Sequence, residues 1–397
     1  METSNTAHSL PLGEPDGLTF PELYRTLQRE QPLARIRMAY GGDAWMVTRY
    51  SDAKTALSDP RFSRAATVGA DVPRLTPVVS QDTSILSMDP PDHTRLRKLV
   101  AKAFTARHIQ RLRPRITEIT HGLLDVMEEQ GSPADLVQGL ARPLPIGVIC
   151  EILGVAAPDH AEFRLWSDTI FGTASGEEIQ AAFIGLHSYI TALVAERRLS
   201  PTDDVLGTLV QARDNDDRLT EAELVDFGMS LLLGGFETTA NQIANIAATL
   251  FRYPGHLAEL RADPSLVPSA VEELLRLMPL GLHGGFVRIA TEDVELGGGT
   301  VRKGEAVLAD LHTANRDPEI FERPDELDFH RQHNPHLIFG YGPHHCVGAQ
   351  LARLELQVAL SALLARFPAL ECAIPLEQIE YSKVKLVRGP ETLPVTW

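Results

Sequence analysis

One short run limits what this chain can fold into: Phe339-Gly340-Tyr341-Gly342-Pro343-His344-His345-Cys346-Val347-Gly348. A cysteine is set in a glycine-rich loop, and a strong helical pattern follows at once. From Val347 onward the apolar positions Val347, Leu351, Leu354 and Val358 fall on one helical face. Cys346 therefore lies at a predicted helix N-terminus, where open N–H groups and the positive end of the helix dipole stabilise an anion and favour a thiolate. Gly340, Gly342 and Gly348 remove side chains where backbone must approach a flat partner or take a positive φ. Most lone cysteines are buried core residues. The long spacing Phe-x-x-Gly-x-x-x-Cys-x-Gly points instead to a sulfur offered to a metal.

Further constellations stand apart from this loop. Gly234-Gly235-Phe236-Glu237-Thr238-Thr239 follows the apolar run 229–233, which reads as buried helix. Paired glycines and β-branched threonines are poor helix formers, and a local rule broken inside a strong element often marks function. The glycines would open a groove against the helix. Glu237 and Thr238 would point a carboxylate and a hydroxyl into it, a pair able to relay protons. The plainer alternative is a solvated glutamate and two core threonines. Glu273 and Arg276 are three residues apart and share a helical face, an ion pair of little worth in isolation. His93 and Arg97 likewise share a face, Arg288 opens a strand-like stretch, and His344 stands two before Cys346.

On these motifs the chain resembles the cytochrome P450 haem-thiolate monooxygenases, in the manner of soluble bacterial members, from about residue 44 to the end. The resemblance implies a mainly α fold with a small β-rich part (α+β), and a long central helix over haem b. It implies one cytochrome P450 domain over 1–397, with 1–20 irregular. Cys346 becomes the axial thiolate ligand, which pushes electron density onto iron and favours O–O cleavage. Glu237 and Thr238 become the oxygen-activation pair. His93, Arg97, Arg288 and His344 match positions that contact the haem propionates, and carboxylates do need fixed cations and donors. Their neighbours Arg95 and His345 read as surface residues. Glu273, Arg276 and Arg331 match a structural trio. Two positions depart from the pattern: Tyr341 stands where many bacterial members carry His, and Phe236 replaces a common His, while the acid after it is kept.

Length, charge and cysteine usage bound the rest. By length alone, 397 residues would suggest about two or three domains. No linker, repeat or low-complexity block is visible, and motifs scattered from His93 to Cys346 must converge on one cofactor, so one domain is expected. The net charge of -16 argues against nucleic acid as a partner. Residues 95–115 break that trend with eight basic side chains and no acid. A solvated helix face would explain them, as would a docking patch for an acidic ferredoxin near Arg97, Lys98, Lys102, Arg107 and Arg111. Cys150, Cys346 and Cys372 form no CxxC or disulfide framework, which suits a reducing cytoplasm. No run of about 18 consecutive apolar residues suggests a membrane span, and a monomer is expected.

Coarse periodicity predicts helices over 24–30, 52–58, 92–129 with a break near Pro114, 143–153, 159–171, 177–198, 206–212, 221–252 and 266–277. A strand pair is predicted over 34–38 and 45–48, a β-rich stretch over 286–311, and an irregular meander over 315–331. Residues 65–87 read as a long binding loop or lid.

The activity these features imply is insertion of one atom of O2 into an unactivated C–H bond or alkene. No dinucleotide-binding unit is present in the sequence, so electrons would come from NAD(P)H through a ferredoxin reductase and a ferredoxin. A peroxide-using peroxygenase is disfavoured by the intact Glu237–Thr238 pair, and a haem sensor by the lack of room for a signalling domain. The segments 65–87, 165–199, 232–236 and 280–287, the last with Gly281, Gly284 and Gly285, are mostly apolar or small. They suit a bulky, largely apolar substrate. A polyketide, macrolide or terpenoid natural product is the first expectation, with a steroid or xenobiotic as alternatives.

Overall fold

The computed structural model describes residues 7–10, 12, 18–75, 79–81, 84–155, 160–171, 174–202, 204–216, 219–279, 281, 285–381 and 387–397. Leu280 and Gly284 of the expected substrate wall, residue 159, and parts of the loop 65–87 and of the link 172–176 lie outside them. Two compact units are present: Met1–Arg95 with Glu272–Cys346, and Leu96–Val271 with Val347–Trp397.

The first unit holds the β structure. Leu33–Arg37 and Asp43–Val47 pair antiparallel from Leu33↔Val47 to Arg37↔Asp43. Gly41 turns the chain between them at φ 72°, and a Cβ there would fall 2.0 Å from the Val72 carbonyl oxygen. Only glycine fits both demands. Ala306–Ala309 runs parallel to Asp43–Val47, and Arg288–Ala290 runs antiparallel to Ala306–Ala309. His8–Ser9 and Phe62–Ser63 complete a six-stranded sheet. His8–Ser9 pairs parallel with Leu33–Arg37, and Leu12 is 1% exposed in the same core as Ile36, Met46 and Leu308. The N-terminal stretch is thus partly ordered, where irregularity was expected.

The expected trio also assembles here. Arg276 Nη2 donates to Glu273 Oε1 at 2.8 Å and its Nε to Oε2 at 2.9 Å. Arg331 Nε reaches the same carboxylate at 3.0 Å, and Asn334 Nδ2 at 3.1 Å. The remaining guanidinium hydrogens go to the carbonyls of Asn315, Pro324 and Glu326. A fully desolvated pair persists only when its leftover donors and acceptors are met in this way. The irregular stretch 315–331 supplies those carbonyls, and so has a reason to be irregular.

The second unit is helical. Glu221–Arg252, its longest helix, begins with a capping box in which Thr220 accepts from the Glu223 N–H and Glu223 accepts from the Thr220 N–H. It packs against Pro143–Leu153, Gly176–Leu199 and Ala349–Arg366. Glycines set the closest approaches: a Cβ on Gly228 would lie 2.9 Å from Ile190, and one on Gly235 would lie 3.2 Å from Ile149. From Gln242 to Leu250 every residue is buried, as expected of a helix enclosed on all sides. Gly176–Leu199 is long and apolar enough to cross a membrane by length and composition. It packs on His160–Phe171 and Val205–Asp216, and its buried Arg197 bonds Asp204 and the Gly154 carbonyl.

Two local expectations are revised. The stretch 92–129 forms three helices, Asp92–Ala103, Ala106–Arg111 and Arg113–Gln130. Thr105 makes the first break by accepting from the His108 N–H as N-cap. Pro114 does not break a helix; it sits in the first turn of one, where a missing N–H costs nothing. Pro254–Ala262 is a further helix that periodicity did not predict.

Candidate active site

In the first unit the cysteine loop is held by its own backbone. Gly340 and Gly342 take φ 75° and 72°, and a Cβ on Gly342 would lie 2.8 Å from Ser58 Cβ. The Cys346 N–H donates to the Phe339 carbonyl at 2.8 Å, and the Cys346 side chain is exposed. The following helix is Ala349–Arg366 with Gly348 as N-cap, so Cys346 precedes the cap by two residues instead of occupying the first turn. Tyr341, one of the two departures from the resembled pattern, lies beneath the Lys54 ammonium at 4.4 Å.

Before the loop lies a buried cluster of nitrogen bases. His93 is 2% exposed and its ring packs on His344 with centroids 4.3 Å apart. His344 is pushed down to about 3, first by burial and then by His93, Arg288 and Arg64. It is therefore a neutral imidazole at ordinary pH, able to donate one N–H. Arg288 is buried and pushed down to about 10, by burial first and then by Arg64, with Asp89 opposing. Two guanidiniums thus lie close together near Asp89, in a place poorly screened by water. Such a cluster favours a bound anion. The propionates of a haem would supply that anion, so the residues present fit the group.

Arg64 was not anticipated from the sequence, yet it organises this cluster. Its backbone N–H donates to Asp89 Oδ1 at 2.8 Å and its Nε to the Leu86 carbonyl at 3.1 Å. Nη1 donates to the Val287 carbonyl, and the guanidinium lies 5.1 Å from the Phe286 ring centroid. No periodicity could reveal it, because its partners are residues 86–89 and 286–288. Arg97 is half-buried and follows His93 by one turn of Asp92–Ala103.

In the second unit, Glu237 and Thr238 are adjacent on the unbroken helix Glu221–Arg252. The Gly234–Gly235 pair does not interrupt the helix. Gly234 is exposed, and a Cβ on it would meet nothing within 4 Å, so this turn of the helix borders open space. Thr238 Oγ1 donates to the Gly234 carbonyl at 2.9 Å. Glu237 is 3% exposed, and its Oε1 accepts from Asn241 Nδ2 at 3.0 Å. The carboxylate and hydroxyl thus turn to different partners, and do not share one direction as the sequence suggested. Consecutive helical residues project about 100° apart, and Asn241 is one turn from Glu237.

The basic segment is partly engaged. Arg115 pairs with Glu151 and Glu118. Lys98, Arg107 and Arg111 are exposed, with no acidic partner among the described residues. The Lys102 side chain lies outside the described residues.

Comparison with known proteins bears on what these parts serve. The cytochrome P450 family model matches residues 154–396. The chain is 52% identical over 398 residues to nocardicin C N-oxygenase of Nocardia uniformis subsp. tsuyamanensis, and 48% identical over 397 residues to mycinamicin IV hydroxylase/epoxidase of Micromonospora griseorubida. Both matches cover 100% of each chain. The crystal structure of a cytochrome P450 hydroxylase of the leinamycin biosynthetic pathway of Streptomyces atroolivaceus superposes with a TM-score of 0.93 at 51% identity, covering 98% of this chain and 100% of that one. The chain belongs to the cytochrome P450 family. It has that family's mainly α fold with a small sheet part, and it is a monooxygenase. The family's cofactor is a haem held by a cysteine thiolate.

Proposed function

We propose that this chain works as a single cytochrome P450 domain in the cytoplasm and oxidises a bulky, largely apolar natural product, with Cys346 as its haem ligand. The observation that carries the reading is the exposed Cys346 in the same unit as a buried, cation-rich cluster of Arg64, Arg288, His93 and His344. Those four residues would hold the propionates, the guanidiniums by charge and the imidazoles by N–H donation. When bound, the haem supplies the activation of O2. Overall, one C–H bond of the substrate, O2, NAD(P)H and a proton give an alcohol, water and NAD(P)+.

The protein's own groups manage protons and space. Glu237 is the acid that takes a proton from water and passes it inward at its carboxylate oxygens. Thr238 spends its hydrogen on the Gly234 carbonyl, which leaves its oxygen lone pairs to accept a hydrogen bond. Gly234 leaves room beside the helix. Electrons arrive from a ferredoxin and its NAD(P)H-dependent reductase, docked at the exposed Lys98, Arg107 and Arg111.

The substrate class rests on the kinship with a mycinamicin IV hydroxylase/epoxidase and a nocardicin C N-oxygenase. Hydroxylation is the first expectation, and a macrolide the first compound to try.

The test is the absorption spectrum of the reduced, CO-bound protein beside that of Cys346→Ser. Wild type is expected to give the strongly red-shifted Soret band of a thiolate-ligated haem, and the variant to lose it. An unshifted band in wild type, or the same band in both, would overturn the assignment of Cys346. Titration with mycinamicin IV then asks whether a macrolide displaces the resting spectrum.

A further inference from the structure

The carboxylate of Glu237 is not left to find its own direction. Asn241 Nδ2 uses both of its hydrogens on one residue: it donates to the Glu237 backbone carbonyl at 2.8 Å and to Glu237 Oε1 at 3.0 Å. Both partners are acceptors, so a flipped amide would set oxygen against oxygen, and only one orientation satisfies the pair. The amide is boxed in from its other side. A Cβ on Gly389 would lie 2.0 Å from Asn241 Oδ1, 2.8 Å from its Cγ and 2.9 Å from its Cβ. The adjoining residue is fixed to the same helix one turn later, where Asn245 Nδ2 donates to the Arg388 carbonyl at 2.8 Å. Four groups thus form one assembly in the second unit: an acid, an amide that grips it, a glycine that traps the amide, and a second asparagine that pins the glycine's neighbour.

We infer that Asn241 is the positioning residue for Glu237, and that Gly389 is required as glycine because it fixes the Asn241 amide. The inference rests on the proposed proton-delivering role of Glu237 and extends it. The fixed donor removes rotamers of a glutamate that has three rotatable side-chain bonds, so the carboxylate stands ready in one geometry. Loss of the donor would leave the acid present but misdirected, and protons would arrive late. More of the O2 reduced at the expense of NAD(P)H would then be released as hydrogen peroxide.

Two measurements on the holoenzyme test this. The first is the exchange rate of the Asn241 side-chain amide hydrogens, followed by NMR with selectively labelled asparagine and assigned through Asn241→Ala. The rate is expected to rise at least tenfold in Glu237→Leu, which removes the side-chain acceptor, and in Gly389→Ala, relative to wild type. An unchanged rate in both overturns the inference. The second is hydrogen peroxide released per NADPH consumed, with a ferredoxin, its reductase and mycinamicin IV as the probe. Asn241→Leu, close in size but without the donor, is expected to raise this ratio several-fold, as are Gly389→Ala and Glu237→Gln. A merely space-filling Asn241 would predict no change in Asn241→Leu. If Glu237→Gln raises the ratio while Asn241→Leu and Gly389→Ala do not, the positioning role fails and the relay stands. If Glu237→Gln itself leaves the ratio unchanged, the relay reading fails first.

Discussion

The cluster around His344 in the first unit and the helix turn around Glu237 in the second are built in opposite ways. The first gathers residues 64, 89, 93, 288 and 344 from loops, a strand start and a helix start, and holds them by buried charge. The second takes residues 234, 237, 238 and 241 from a single helix, and holds them with hydrogen bonds one turn long. The first is suited to gripping an anion, because it brings two guanidiniums and two imidazoles into one buried place. The second is suited to adjusting a proton donor, because each group is set by a neighbour on a rigid rod. A region built from distant charges should register truncation in what it binds. A region built on one helix should tolerate change in stability and register it in function.

The largest effect should come from truncating a charge in the first unit. Arg276→Ala leaves Glu273 buried and stripped of a bidentate partner, with an expected loss of about 3–5 kcal/mol. Urea denaturation would measure it, and a loss below ~1 kcal/mol would show that Arg331 and Asn334 suffice for the buried Glu273 carboxylate. Arg288→Met should separate holding the haem from holding the fold. Removing a charge-assisted contact worth about 1.5–3 kcal/mol weakens haem retention roughly tenfold to a hundredfold, as read by transfer to an excess of an apo acceptor protein. The same change should raise the melting temperature of the haem-free chain, since it removes a cation buried beside Arg64. A haem-free chain that melts lower would show that Arg288 stabilises the fold even without a bound anion.

Gly234→Ala probes the other region. The helix is continuous there and nothing lies within 4 Å of the added methyl, so the fold should gain about 0.5–1 kcal/mol. Titration with mycinamicin IV should nevertheless weaken, because the methyl fills the open space. A variant that is more stable and binds equally well would show that this space takes no ligand.

The smallest effect concerns Glu355 on Ala349–Arg366, which is 2% exposed and held well above its ordinary value of 4.5 by burial. The folded state keeps a proton that the unfolded chain releases, so this group's contribution to stability falls as pH rises above about 4.5. Glu355→Gln removes that dependence. Its melting temperature relative to wild type should climb steadily from pH 5 to pH 8, and a constant difference would mean that Glu355 ionises in the fold.

Much of this architecture could be read beforehand, but unevenly. The helix over 221–252 was legible from residue to residue, because its period and its Thr220–Glu223 box are local. The Cys346 loop was legible because its glycines answer to their own φ angles. The break expected near Pro114 falls at Leu112, just before the proline's place in a first turn, while the break at Thr105 was missed because no proline or glycine marks it. The shared direction of Glu237 and Thr238 was also misjudged. Their type and adjacency are in the sequence, but the partner that turns each of them is not.

What the sequence determined by itself, then, was the inventory: which segments are helical, which loop requires glycine, and which side chains could carry charge, sulfur or a proton. These follow from steric and periodic rules that act within a turn or two of the chain. Only the tertiary structure decided that Arg64 joins Arg288 beside one aspartate, and that Gly389 stands against the amide that grips Glu237. Those neighbours are separated by more than a hundred residues. No local period connects them, and the burial that gives their charges and hydrogen bonds force exists only once the chain has closed around them.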